Sequence, residues 1–179
     1  MTRSAPGDLE LVRAFVNTRD LEHASDALAE PAGLSAWLVE HRLLDSPGRA
    51  READRRHAVA VREALRAVLL AHHGSQVPAE ATEQLDAAAV RARLALRFTA
   101  DGDAVLVPEA PGVQGALGRL LSIVASAQAD GTWARLKACP ADDCLWAFYD
   151  ASRNRSARWC TMDECGNRAK VRRYRERRR

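Results

Sequence analysis

The chain has 179 residues, 47% hydrophobic and 28% charged, enough apolar material for one ordinary domain and a small appendix. No run of about 18 apolar residues is present, which excludes a membrane-spanning helix. The net charge of +3 hides an asymmetry: residues 1–131 hold 14 Lys and Arg against 18 Asp and Glu, residues 132–179 hold 13 against 6.

Leu9, Val12, Phe15 and Val16 recur at helical spacing and predict a first helix ending near Thr18. A loop with Pro31 and Gly33 leads to a short amphipathic helix carrying Leu34, Trp37 and Leu38. Ala58, Val61, Leu65, Val68 and Leu69 mark one face of a long helix from about residue 50 to 72. Pro78 suits the first turn of a fourth helix with Leu85 and Ala89 facing inward. Near Arg93 the period changes to two. Leu94, Leu96 and Phe98, a turn at 100–103, then Val105 and Val107 predict a β-hairpin. Pro111-Gly112 opens a fifth helix, which Gly131 ends.

These elements predict a mainly α fold with a β-hairpin: a helical domain over 1–131, followed by a small second module over 132–179. Its acidic balance fits a regulatory unit that senses a small-molecule effector or forms a homodimer. No glycine-rich phosphate loop, nucleophile elbow or His-Glu metal motif occurs, so an enzyme is not expected. Asn17 reads as a buried amide bonded to backbone, Arg62-Glu63 as an exposed pair, and His72 and His73 as side chains complementing a helix dipole.

The last 48 residues contain all four cysteines and three of the four tryptophans. A segment this short buries little surface and needs a staple. The start, Met1-Thr2-Arg3-Ser4-Ala5-Pro6-Gly7-Asp8, lacks the apolar stretch of a secretory signal, so a cytoplasmic location is expected, where thiols stay reduced. The spacing Cys139-x4-Cys144-x15-Cys160-x4-Cys165 offers two close pairs, and a tight turn lets each pair supply two of zinc's four tetrahedral ligands. Two disulfides are the competing reading, which the compartment disfavours. All five histidines precede residue 74, so four thiolates would close the site and make it structural. Residues 135–139 and 145–150 read as strands around the first pair. Asp163 reads as the cap of a final helix whose first turn carries Cys165, with Ala169 and Tyr174 facing the aromatic strand. Together they form a ββα finger, treble-clef-like or ribbon-like, with Trp146, Phe148 and Trp159 as its core.

The stretch Cys139-Pro140, Cys144, Trp146-Ala147-Phe148-Tyr149-Asp150, Ser152-Arg153-Asn154, Arg158-Trp159-Cys160, Met162 and Cys165-Gly166-Asn167-Arg168 resembles the CGNR zinc-finger family. Phe15-Val16-Asn17-Thr18 and Leu34-Ser35-Ala36-Trp37-Leu38 resemble the helical ABATE domain that precedes this finger. The combination is similar to bacterial proteins described as stress-induced transcription regulators, and implies DNA binding.

Residues 168–179 hold eight cations and one acid. On a helix, Arg168, Arg172, Arg175 and Arg179 share one face. Candidate nucleic-acid contacts are Arg153, Asn154, Arg155 and Arg158 in the polar turn, with Asn167, Arg168, Lys170, Arg172, Arg173 and Arg175 on the helix. Double-stranded DNA is the favoured partner. RNA, an acidic protein surface, a solubilising basic tail and a redox-switched zinc site remain as alternatives.

Overall fold

A computed structural model describes residues 4–46 and 50–177 of the chain. Six helices carry most of the structure: α1 (Leu9–Val16), α2 (Pro31–Glu40), α3 (Glu52–Ala71), α4 (Ala79–Arg91), α5 (Gly112–Ala129) and α6 (Asn167–Glu176). The strands form three separate antiparallel ribbons: β1 (Arg19–Asp20) with β2 (Ser25–Asp26), β3 (Leu94–Phe98) with β4 (Ala104–Pro108), and β5 (Leu136–Ala138) with β6 (Ala147–Tyr149). The fold is mainly α with small hairpins, as the periodicities require. Among the described residues no helix is long and apolar enough to cross a membrane.

The core gathers Val12, Phe15 and Val16 of α1, Leu34 and Leu38 of α2, Leu65 and Leu69 of α3, and Leu117 and Leu120 of α5, all fully buried. Each such side chain contributes about 1.5–3 kcal/mol by leaving water. Pro31 and Gly33, read as loop residues, instead form the first turn of α2, where a proline lacking its N–H loses nothing. A Cβ on Gly33 would lie 2.2 Å from the Ala27 carbonyl oxygen, so only glycine lets α2 start there. On α4 the deeply buried residues are Ala81 and Ala88; Leu85 and Ala89 are half-buried.

Arg62-Glu63 is not an exposed pair. Arg62 is 1% exposed and forks onto Asp26 at 2.6 and 2.9 Å, with a further bond to Thr18 Oγ1 at 3.1 Å. It occupies the apolar face of α3 because it falls four residues after Ala58. Burial raises the Asp26 carboxyl, but the Arg62 hydrogen bonds, the Leu28 N–H and the charges of Arg62 and Arg19 together hold it below its ordinary value.

The third ribbon is seated in the helical body. Leu136, Ala138 and Ala147 are fully buried in the same core as α1 and α3, with Trp133 in the short 3-10 turn before β5. Both outer edges of this ribbon are met by side chains. Arg135 O and Cys139 N face β6, so the alternate carbonyls of Leu136 and Ala138 face outward. His72 Nδ1 meets the first at 2.7 Å and His73 Nε2 the second at 2.8 Å. On the β6 edge, Asn17 Nδ2 donates to Ala147 O at 2.9 Å and Asn17 Oδ1 accepts from Ala147 N at 2.7 Å. An amide side chain thus stands in for a third strand. The two histidines act as edge clamps for a strand some 65 residues away, not merely as dipole partners, and burial lowers the His72 pKa, favouring the neutral ring.

Asn17→Ala leaves a buried N–H and C=O of β6 without partners, which costs about 1–3 kcal/mol. Urea unfolding of the zinc-loaded chain is expected to show that loss; an unchanged midpoint would mean that water satisfies the edge equally well.

Candidate metal centre and basic surface

Cys139 and Cys144 flank the turn that joins β5 to β6. Ala141 O accepts from Cys144 N at 2.9 Å and from Leu145 N at 3.1 Å, and Leu145 adopts a left-handed φ of 54°, so the chain curls back within six residues. Cys160 ends the polar loop after β6. Cys165 lies in a π-type turn, Met162–Gly166, closed by Gly166 N donating to Thr161 O at 3.1 Å. That wide turn replaces the expected first turn of the final helix: α6 begins at Asn167, and Asp163 lies within the turn rather than capping it. Its carbonyl accepts from Asn167 Nδ2 at 3.1 Å. The extra residue per turn swings Cys165 into the cluster.

All four Sγ atoms lie within 4.8 Å of one another, and the Cys144–Cys160 and Cys160–Cys165 separations are 3.6 Å. Zinc–thiolate bonds of about 2.3 Å in a tetrahedron require sulfur–sulfur edges of about 3.8 Å. A disulfide needs about 2.05 Å. The cluster therefore fits a metal, and the four cysteines are free thiols.

The electrostatics agree. Hydrogen bonds from the Cys144 and Cys160 thiols hold Cys139 down to about 2. The contact with Cys139 in turn pushes Cys144 up to about 12 and raises Cys160 further, while burial raises Cys165. Like charges this close cannot all ionise by themselves, but a divalent cation among them lets all four do so. Backbone N–H groups of Ala141 and Cys160 aim at the Cys139 sulfur, and that of Trp146 at Cys144. Arg168 Nη2 donates to Cys165 Sγ at 3.1 Å. Such donors steady thiolates around a metal. The finger holds one structural zinc ion, and the four-sulfur shell has no open position for catalysis.

A second buried device fixes the loop between Asp150 and Ala157. Lys137 is 5% exposed and Asp150 1%, and Lys137 Nζ meets Asp150 Oδ2 at 2.7 Å. The ammonium also donates to the carbonyls of Arg155 at 2.7 Å and Ala157 at 3.2 Å, which uses all three protons. Asp150 accepts further from Ser152 N, Ser152 Oγ and Ala157 N. Burial raises its carboxyl, yet these donors hold it below the ordinary range. Neither residue was singled out from the sequence. The signal was there: Lys137 is one of only two lysines among 27 basic residues.

Around this scaffold, Arg153, Asn154, Arg155 and Arg158 are exposed, as are Asn167, Arg168, Lys170, Arg172 and Arg175. Arg158, its guanidinium 5.8 Å from the Trp159 ring centre, joins Arg168 and Arg172 around a recess of about 190 Å³ that Ala169 also lines. Arg153, Asn154 and Arg155 stand outside that recess on the loop. Arg168, read as a phosphate contact, is turned toward the metal centre and lies 3.7 Å from Asp143 and 3.8 Å from Glu22. Phe148 is buried and Trp146 and Trp159 are half-buried, so all three act as core. Tyr174 is 58% exposed. The side chain of Arg173 and the whole of Arg178 and Arg179 lie outside the described residues.

A family model described as "ABATE: Putative stress-induced transcription regulator" matches residues 9–135. The chain belongs to the ABATE family. The CGNR zinc-finger model matches residues 135–178, so the finger is of the CGNR type. A search of the curated proteins found no match. In this CGNR finger the name-giving tetrapeptide has distinct tasks: Cys165 is in the metal cluster, Asn167 bonds the preceding turn, and Arg168 bonds the ligand sulfur. A Cβ on Gly166 would lie 2.8 Å from Met162 Sδ and 3.4 Å from the Trp159 ring. The ABATE motif Asn17 is the residue that binds β6. The coarse identity is thus a metal-binding member of a regulator family.

Proposed function

We propose that the chain is a zinc-dependent DNA-binding protein and transcription regulator of the bacterial cytoplasm. The division of labour follows the sequence: residues 1–131 regulate or dimerise, in response to a small-molecule effector, and residues 132–179 meet the duplex. The observation that carries this reading is a set of six cations on a doubly fixed scaffold. Arg153, Arg155, Arg158, Lys170, Arg172 and Arg175 are exposed and form no ion pair with a carboxylate among the described residues. Unneutralised charges repel one another on adjacent helical turns, so this arrangement gains stability only with a polyanion. Zinc sets the start of α6, the Lys137–Asp150 pair sets the loop, and both fix the backbone that carries these cations before the ligand arrives.

Phosphate contacts position the finger, and Asn154 and Asn167 are the side chains suited to a base edge. Arg168 serves as a positioning residue that ties α6 to the metal centre. Catalysis is no part of this reading.

Six phosphate contacts give a slope of about −5 for log affinity against log salt on duplex DNA. Titrations of the zinc-loaded chain at several salt concentrations measure it directly. A slope near zero removes nucleic acid as the partner. RNA is the second reading, since exposed guanidiniums on a loop and helix serve single strands as well as duplexes. Competition between duplex DNA and RNA at equal salt separates the two, and failure of both leaves an acidic protein surface as the partner.

A further inference from the structure

The β3–β4 hairpin lies beside α5 through β4, while the outer residues of β3 are exposed. At its base Leu94 and Pro108 pack on α5, where a Cβ on Gly118 would meet Pro108 Cβ at 2.7 Å. Further out, Leu96 is 56% exposed and Phe98 72%. Leu96 stands opposite Leu106 in the register, and with a period of two Leu96, Phe98 and Leu106 share one uncharged face. Val105, Leu106 and Val107 are each more than a third exposed. Beside them a groove of about 550 Å³ runs between β4 and α5, lined by Leu106, Val107, Ile123 and Arg119.

The size of this surface is informative. With about 150–250 Å² for an aromatic ring and somewhat less for an aliphatic side chain, the Leu96, Phe98 and Leu106 face exposes on the order of 300 Å². A stable interface buries about 800 Å² per partner, of which roughly 500 Å² is apolar in a homodimer. The hairpin face supplies more than half of that, and the groove adds to it. The surface is also complementary to itself. It holds both a projecting ring, Phe98, and a groove of mixed polarity in which Leu106, Val107 and Ile123 offer an apolar wall. Its tip carries Asp101 and Asp103, while its base carries Arg93 beside the Arg97–Glu109 pair and so has a net positive charge.

We propose that the hairpin face and the adjoining groove form the two-fold interface of a homodimer. Two hairpins laid antiparallel about the axis set Phe98 of each chain against the groove of the other. The same arrangement brings each acidic tip over the partner's basic hairpin base. This interface is two-fold and closes on itself. It rests on the dimerising role proposed above for the helical domain and not on contact with DNA. Should both hold, the recognition sequence consists of two half-sites related by a two-fold axis.

Sedimentation equilibrium of the zinc-loaded full chain, without DNA, from about 1 µM to about 100 µM, tests it. The expected species has twice the chain mass of 19.6 kDa. Leu96→Glu with Phe98→Glu introduces two acidic side chains per chain, four per interface, and is expected to weaken association at least about 100-fold, giving the single-chain mass. Both side chains are largely exposed, so circular dichroism and zinc content should match the wild type. Asp101→Arg with Asp103→Arg should also weaken association, by removing the attraction between tip and base. A wild-type chain that stays at 19.6 kDa throughout, or a dimer indifferent to both double substitutions, overturns the proposal.

Discussion

Replacing Cys144 by serine is expected to release the zinc and destabilise the whole chain, not the finger alone. Structural zinc contributes on the order of 10 kcal/mol to the folding of small modules, and a missing thiolate removes much of it. In most appended fingers that loss stays local. Here β5 and β6 bring Leu136, Ala138 and Ala147 into the core of the helical domain, all fully buried. Arg66 Nη1 donates to Leu145 O, next to the ligand Cys144, at 2.8 Å, while its Nη2 donates to Val16 O at 2.7 Å. Loosening the metal turn therefore removes the partners of Arg66, Asn17, His72 and His73 together. Metal analysis should find no zinc in the Cys144→Ser chain, and its thermal unfolding should move down as a single transition. An unchanged melting of the helical part, with only the finger disordered, would show that the two parts are energetically independent.

The second large effect is expected from Asp150→Asn. It leaves the Lys137 ammonium almost fully buried without a counter-charge, and breaking a buried pair from one side costs about 3–5 kcal/mol. Neutralising the lysine as well does not restore the loss in full, because Asp150 also orders Ser152 and Ala157 through their N–H groups. Urea unfolding of zinc-loaded Asp150→Asn and of Asp150→Asn with Lys137→Met should show that residual cost. Zinc stoichiometry should stay near one. Affinity for duplex DNA should fall, since the loop bearing Arg153, Arg155 and Arg158 loses its anchor. Equal stability of the double variant and the wild type would reduce the pair to an isolated ion pair.

The local features were legible in the sequence. The cysteine spacing identified the metal cluster because two tight turns are a short-range requirement, and the hairpin at 94–108 announced itself by its period of two. The helices of the first domain followed from apolar spacing. For four residues the partner was hidden for one reason: each bond joins distant parts of the chain. Asn17 pairs with residue 147, Arg66 with 145, and His72 and His73 with 136 and 138. Arg62 and Arg66 left a partial trace, as cations on the apolar face of α3, where a charge implies a buried acceptor. The π-type turn left none, because a single extra residue does not disturb the apolar pattern. Arg168 carries a bond that its place in a run of cations concealed. Its membership of a basic run favoured a phosphate role, whereas its position three residues after Cys165 sets it against the ligand sulfur.

Selection of bound fragments from random duplex DNA, by the zinc-loaded chain and by the same chain after chelation, addresses the link between metal, basic surface and function in one step. A metal-ordered loop and helix that read the duplex should enrich one motif with zinc and none without it. Enrichment that survives complete removal of the metal, or no recovery of DNA under either condition, would contradict it.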